Sequence, residues 1–458
     1  MEVSGRDRLT LLAIVMLPML VWWAAFYPGT FTNDSLSIVD QIRSDTWSNA
    51  HTNAYVAFVW VTSFGGHQWG LVAFAQIILL ALGIASLGEV FIRSGVPKPL
   101  VMIASTMFAL LPQVGAFAVT MWKDVPSSSG VLMLASALLA RRVPGSSQRS
   151  TLWLTGAGAL LLGAFRWNGP IALVLLSVVV LILERRSSLK IVAVLLGVAT
   201  MSVGTLLIPQ RFNIAESRTW LAIDNRELHD IAYVFSSRPT AINKNDQVTL
   251  SAIMPLDRWS QGGSTCETID VMLYEHIMQF APRSLTNIKE YEFELRAMWQ
   301  RVLRNEPLLV SWVRVCRAAG VWSPVYFGKQ PTLGLAYLHS NDPELGRPGN
   351  FPSLERTAIR AVMTTSSSEL RKSLALNAML WTLVALAVVF AFRNRPVARL
   401  YLKCLPVSIA VMVSVMLGAV AHDARYVAGP LLLAQFLVAV AVLDSIRHRI
   451  SITRSRRA

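Results

Sequence analysis

The sequence predicts an all-α, polytopic membrane protein with about ten transmembrane helices and a mainly helical extracytoplasmic insert. Three observations predict it. Of 458 residues, 53% are hydrophobic and 15% charged, against about 25% charged in soluble domains. The mean hydropathy is +0.48. Apolar runs of roughly 18 residues or more recur along the chain. Helices satisfy every backbone group inside lipid, whereas barrel strands would alternate with period 2, which these runs do not.

The elements follow in order. Arg6 and Arg8 precede the first apolar run, Leu9 to Phe26. The run is long for a signal peptide and lacks a small-x-small cleavage site, so it reads as a retained span with a cytoplasmic N-terminus. Residues 28–68 form the first outer loop. In it, Leu36, Val39 and Ile42 recur at helical spacing, and Ala54 to Phe64 is apolar with aromatics. Both stretches are too short to span and read as interfacial helices. Further spans are expected at 69–92, 99–121, 126–140, 151–165, 169–184, 190–208, 374–392, 400–421 and 426–446. Pro112 should kink the third span. The fourth and fifth are short for a full bilayer, and tilt or local burial would accommodate them.

This divides the chain into an N-terminal membrane module (1–208), an extracytoplasmic domain (209–373), C-terminal membrane helices (374–446) and a basic cytoplasmic tail (447–458). Within the outer domain, Glu290 to Leu303 has a helical pattern, while 341–353 is rich in Asn, Pro and Gly and reads as loop. Cys266 and Cys316 fall in this domain, where an oxidising compartment would let them pair; two separate thiols are the alternative. Cys404 lies in an apolar span.

The net charge of +15 needs no nucleic-acid partner. Much of it follows the positive-inside pattern. The inner loops hold Arg93 and Lys98, then Arg141, Arg142 and Arg149, then Arg185, Arg186 and Lys190, then Arg393, Arg395 and Arg399. The tail adds Arg447, Arg449, Arg454, Arg456 and Arg457. The short outer turns hold Lys123, Arg166 and Arg425.

Those outer turns carry the candidate site. Asp34 follows the first span, and a carboxylate at the membrane border can act as general base on a hydroxyl. It could instead cap an interfacial helix starting near Ser35. His51, in the same loop, is a candidate substrate contact or a surface polar residue. Lys123 and Asp124 lie in Met-Trp-Lys-Asp-Val-Pro. A lysine at headgroup depth can meet a phosphate, or it can snorkel and pair with its neighbour. Arg166 and Asn168 lie in Phe-Arg-Trp-Asn-Gly-Pro. This is a second cation on the same face, with the planar fork that grips phosphate. Trp167 serves as an interfacial anchor. His422, Asp423, Arg425 and Tyr426 form the densest cluster. Ionisable groups between two apolar spans are costly unless paired or functional. Either Asp423 pairs with Arg425 or these residues face a ligand.

One carboxylate and three cations on one face suit a reaction on a lipid-linked phosphate. The cations would stabilise the leaving phosphate, and the carboxylate would activate the acceptor. No Walker A or dinucleotide fingerprint is present, so a lipid-delivered donor is expected rather than a nucleotide sugar. No zinc-type His/Cys cluster is present. No cofactor is firmly implied, and a divalent cation held by Asp34 and Asp423 stays open.

This layout resembles the GT-C class of membrane glycosyltransferases, which includes protein mannosyltransferases and the arabinosyltransferases of actinobacterial cell walls. Asp34 with the amphipathic stretches after it is similar to their first outer loop, with its functional Asp and juxtamembrane helices. Arg425-Tyr426 looks like a late Arg-Tyr pair of several such families. The Lys-Asp turn and the Arg-x-Asn-Gly turn resemble those of a bacterial branch. The resemblance covers about residues 9–208 and 374–446. It departs from the class where Ser35, not a second acid, follows Asp34, and where the soluble insert lies between spans.

The resemblance implies an inverting transferase of the bacterial plasma membrane, with both termini cytoplasmic. Asp34 would be its base, and Lys123, Arg166 and Arg425 would bind the phosphate of a polyprenyl-phosphate sugar. His51, Asp124, Asn168, His422, Asp423 and Tyr426 would contact substrate. The acceptor would be a cell-envelope glycan or another extracytoplasmic molecule. A flippase for lipid-linked glycans is the alternative from another class, and a glycan polymerase is a third reading.

Overall fold

The structure, a computed structural model, describes residues 3–47, 51–143, 146–184, 188–211, 225–266, 290–324, 345, 351–366, 369–392, 396–418 and 424–455. His422 and Asp423, and most of the expected loop 341–353, lie outside the described residues, as do Arg185, Arg186, Arg393, Arg395, Arg456 and Arg457. Among the described residues the regular elements are helical, and an isolated parallel bridge joins Thr30 to Thr120.

The first span is α1 (Gly5–Ala25), and the two loop helices are α2 (Asn33–Arg43) and α3 (Asn53–Thr62). The membrane module continues through α4 (Trp69–Arg93), α5 (Lys98–Ala109), α6 (Pro112–Val119), α7 (Asp124–Ala140), α8 (Gln148–Phe165), α9 (Gly169–Glu184) and α10 (Leu189–Arg211). The insert contains α11 (Asn225–Ser237), α12 (Lys244–Ile253), α13 (Leu256–Gly262), α14 (Glu292–Asn305), α15 (Pro307–Arg317) and α16 (Ala319–Trp322). Then come α17 (Pro352–Ser366), α18 (Glu369–Leu376), α19 (Ala378–Ala391), α20 (Pro396–Gly418) and α21 (Ala428–Ser455).

Gly5–Ala25, Trp69–Arg93 and Arg425–Arg447 are each long and apolar enough to cross a membrane. Asp124–Ala140, Gly169–Glu184, Leu189–Gly204, Ala378–Ala391 and Leu402–Gly418 are shorter and apolar, and α5 and α6 form a bent pair. The chain is a multi-pass membrane protein. Leu17, Trp153, Ile182 and Phe390 stand exposed on the bundle surface. Lipid solvates such side chains, whereas water would not.

The short fourth span has a physical explanation. Every residue of α7 is buried. At 17 residues it is about 25 Å long, less than the ~30 Å of hydrocarbon. Enclosed by α4, α8, α20 and α21, it needs no lipid-facing length. Small residues let the backbones approach closely. A Cβ on Gly130 would fall 2.6 Å from the Gly158 carbonyl oxygen, and one on Gly429 would fall 2.7 Å from Val131. The helix hydroxyls turn inward on their own backbone, with Ser129 Oγ donating to Val125 O at 3.0 Å and Ser136 Oγ to Leu132 O at 2.7 Å. The α7 N-terminus, where Lys123 and Asp124 sit, is thereby fixed by the centre of the bundle.

Two expected spans are corrected. The third is broken rather than kinked, since α5 and α6 meet at 65°. Pro112 opens α6, and Leu111 before it is extended (φ −60°, ψ 127°), the conformation a following proline enforces. The run 374–392 is also two helices. Asn377 stops α18 and caps α19, its Oδ1 accepting from Leu380 N at 2.8 Å.

The insert has its own core, built from Leu228, Ile231, Trp259, Leu295, Met298 and Val302. The predicted helical pattern at 290–303 is α14. Cys266 and Cys316 are disulfide-bonded with Cα atoms 5.7 Å apart. Contacts of α15 and α16 with α20 seat the insert on one end of the bundle. The opposite end gathers the ion pairs Arg8–Glu89, Arg93–Glu89, Lys98–Asp7, Arg141–Glu184 and Arg142–Glu184. Of these, Arg93, Lys98, Arg141 and Arg142 are among the residues that the charge pattern assigns to the inner loops.

Candidate active site

The site is built where the first outer loop is stapled to the turn before α7. Thr30 N donates to Val119 O at 3.1 Å, and Met121 N donates back to Thr30 O at 3.0 Å. The Thr30 and Thr120 hydroxyls meet at 2.8 Å. Ser35 Oγ donates to Met121 O at 2.8 Å, and Trp122 Nε1 donates to Thr32 Oγ1 at 2.8 Å. Beneath them Gln76 Nε2 donates to Thr120 O at 2.8 Å, and Gln76 Oε1 accepts from the Tyr55 hydroxyl at 3.0 Å. These groups are buried, so each bond is costly to leave unmade.

The cap of α2 is Thr32, not Asp34. Thr32 and Ser35 form a reciprocal capping box. Asp34 therefore lies in the first helical turn, where a carboxylate is favoured by the helix dipole. Its Oδ2 accepts from Arg425 Nη1 at 2.8 Å. The Asp34 side chain keeps 40% of its surface accessible, and that of Arg425 keeps 17%. Arg425 stacks on Trp122, with its guanidinium 5.2 Å from the ring centroid, and on Tyr426 at 5.3 Å.

Lys123 Nζ stands 3.5 Å from His51 Nδ1. An ammonium can only donate, so Nδ1 accepts. Burial, then the Lys123 charge, drives the His51 imidazole down to about 3, so it is neutral at physiological pH. Burial works to raise the Asp34 carboxyl, but Arg425 and then Lys123 hold it down to about 2. Burial lowers the Lys123 ammonium, with Asp34 and Asp124 opposing.

Arg166 is the most enclosed of the three cations. It is 9% exposed and its Nη1 lies 2.6 Å from Asp124 Oδ1. Its Nε donates to Asn168 Oδ1 at 3.2 Å and its Nη1 to Tyr426 O at 3.1 Å. The Tyr426 ring centroid lies 5.2 Å from the guanidinium. Asn168 Nδ2 in turn donates to Ser414 Oγ at 2.9 Å. The turn bearing Arg166 packs so tightly on α8 that a Cβ on Gly169 would stand 2.0 Å from Leu162 O.

The structure thus brings together Asp34, His51, Lys123, Asp124, Arg166, Asn168, Arg425 and Tyr426. Among the described residues, no group of three His, Cys, Asp or Glu side chains could hold a metal ion. Asp423, the second carboxylate of the divalent-cation arrangement, lies outside them. Trp122 was not singled out from sequence, although it adjoins Lys123; neither were the Thr30, Thr32 and Thr120 hydroxyls. Their roles depend on a pairing of segments 90 residues apart.

No family model matches the chain, and no curated protein matches its sequence. Two solved structures are similar to it. One is the protein O-mannosyltransferase Pmt1-Pmt2 complex of S. cerevisiae bound to the sugar donor, at 15% identity and a TM-score of 0.37, covering 46% of this chain and 34% of that one. The chain therefore spans about a third of that protein. The other is ArnT from Cupriavidus metallidurans bound to undecaprenyl phosphate, at 14% identity and a TM-score of 0.36, covering 97% of this chain and 79% of that one. No function is carried over from likenesses this low.

Proposed function

We propose that the protein is an inverting membrane glycosyltransferase that uses a polyprenyl-phosphate sugar. The observation that carries this reading is the charge balance around an accessible carboxylate. Among the described residues, Lys123, Arg166 and Arg425 face Asp34 and Asp124, with His51 neutral. Three cations against two carboxylates leave one positive charge. A sugar phosphodiester carries one negative charge. Lys123 and Arg425 flank Asp34, and Arg166, braced by Asp124, adds its field from below.

The acceptor hydroxyl attacks the anomeric carbon and passes its proton to Asp34. The bond from that carbon to the phosphate oxygen breaks, and polyprenyl phosphate leaves with the electron pair. The cations stabilise the charge developing on it. A single displacement inverts the anomeric centre. Asn168 and Tyr426 orient the cations, and His422 and Asp423 stand just before Arg425 in the sequence. The site end faces away from the cytoplasm, in a bacterial plasma membrane, with both termini inside and a cell-envelope molecule as acceptor.

The experiment is an assay of purified protein in detergent with polyprenyl-phosphate sugars and envelope glycans. Release of polyprenyl phosphate by wild type, and its loss in Asp34→Asn with donor binding retained, is the expected result. Full activity of Asp34→Asn removes that residue from the mechanism. Absence of turnover with every donor, together with lipid movement in vesicles, replaces the enzyme by a flippase.

A further inference from the structure

A second cluster of charge lies in the insert, on the side that meets the bundle. Asp230 is fully buried and holds two arginines: its Oδ2 accepts from Arg314 Nη2 and its Oδ1 from Arg317 Nη2, each at 2.7 Å. Trp299 Nε1 also donates to Asp230 Oδ2, at 3.2 Å. Arg317 is 1% exposed. It sits on the α15 face with Val310 and Val313, where helical spacing would put another apolar residue. Its Nη1 donates to His229 Nδ1 at 2.9 Å. A guanidinium can only donate, so the His229 proton is on Nε2, which donates to Thr265 O at 2.9 Å. Burial and then Arg317 bring that imidazole down to about 3, so it adds no charge. The Cys266–Cys316 disulfide ties together the neighbours of both partners, Thr265 and Arg317.

This network lines a cavity of about 140 Å³ with Arg226, Glu227, Trp299, Arg314, Arg317, and Met416 and Leu417 of α20. That is well above the ~10–15 Å³ that admits one water. Arg317 Nε is buried and has no hydrogen-bond partner, and a charged donor left in that state is costly. Arg226, Arg314 and Arg317 against Glu227 and Asp230 leave one positive charge among these residues. The cavity adjoins the candidate active site. A Cβ on Gly418 would lie 3.6 Å from Arg226 Nη1 and 3.8 Å from Asn168 Cβ.

We propose that this cavity is an acceptor subsite that binds an anionic group, a phosphate or carboxylate, carried on a sugar. The arginine donors take the anion, and Trp299, whose ring Arg314 faces at 5.6 Å, offers an aromatic surface to the sugar ring. Only the word acceptor rests on the glycosyl-transfer reading; the anion site stands on the insert itself.

The test uses the full-length protein in phosphatidylcholine nanodiscs. Glucuronate and glucose 6-phosphate are titrated by calorimetry, with glucose as the uncharged control. Both anions should bind and glucose should not. Arg314→Gln should weaken binding about tenfold or more, as should Arg226→Gln, the second variant should the first fail to fold. Lys123→Ala should leave binding intact. Equal binding of glucose, or binding lost in Lys123→Ala but kept in both arginine variants, overturns the proposal. Phosphatidylglycerol added to the nanodiscs separates the two sources of anion. Arg314-dependent displacement of the sugar assigns the cavity to a lipid headgroup and overturns the acceptor assignment; undisturbed binding supports it. A protein that binds these anions yet transfers no sugar keeps the site and loses the reading of the first.

Discussion

The Asp34 carboxylate and the Arg425 guanidinium lie 2.8 Å apart, across 391 residues of sequence. The pair holds Asp34 near 2, too low for an effective base near neutral pH. The proposed donor phosphate would compete for the same guanidinium. In the proposed reaction, donor binding draws Arg425 from Asp34 and lets its carboxyl rise toward its ordinary value. The base becomes effective only once the sugar is in place.

This sets a pH dependence. In kcat/KM for the donor, which reports the free enzyme, Asp34 should impose no acid limb from about pH 7 down to about pH 4, because it titrates near 2 there. In kcat, which reports the loaded enzyme, the acid limb should appear at higher pH. Stopped assays across that range check it. Coincident limbs would sink the competition for Arg425.

The same pair contributes to stability. The folded carboxyl at about 2 lies below its ordinary 3.8. Its contribution is therefore complete above about pH 4 and lost as pH falls toward 2. Asp34→Asn should lower Tm at pH 7, on the order of a degree or two given the exposure of the group. The gap to wild type should close on acidification, as followed by scanning fluorimetry.

In the proposed reaction, Lys123→Ala and Arg425→Ala would each remove a charge-assisted contact to the phosphate. Each should weaken donor binding by roughly 10–100-fold, measured with a radiolabelled polyprenyl-phosphate sugar. Asp34→Asn should bind the donor at least as tightly as wild type, since it no longer competes for Arg425. Unchanged affinity in both cation variants would place the phosphate elsewhere.

Asp124→Ala leaves Arg166 buried without its carboxylate. Breaking such a pair costs about 3–5 kcal/mol. The variant should express poorly or melt well below wild type, and Asp124→Ala combined with Arg166→Met should recover much of the loss. Normal melting of the single variant would mean that Arg166 does not depend on Asp124.

Thr32→Val removes the capping box and the acceptor for Trp122 Nε1. It should cost about 1 kcal/mol or more and reduce turnover more than donor affinity, because Asp34 loses its fixed place beside Lys123 and Arg425. Melting temperature and the split between kcat and KM check this.

Much of the architecture is legible in single stretches. The apolar runs mark the helices, because a span must be apolar along its own length. The charge of the loops separates the two ends of the bundle, since Arg93 and Arg141 fall at one end and Lys123 and Arg166 at the other. Local rules also foretell a disturbance at Pro112. They do not foretell a 65° break, which depends on what α5 and α6 pack against. Asn377 is a cap inside an apolar run, and its signal is a single residue.

Residue order alone establishes a helical membrane protein with acids and bases on the turns of one face, because hydropathy and charge are properties of residues taken one at a time. How those charges are matched emerges from the packing of the folded chain. It gave Arg425 to Asp34, Arg166 to Asp124, and both Arg314 and Arg317 to Asp230. Pairing depends on which helix ends meet, and close contacts such as Gly130 against Gly158 set that. At Asp34 the choice of partner also decides protonation, since burial alone would raise the carboxyl and the Arg425 charge beside it, with Lys123, holds it down.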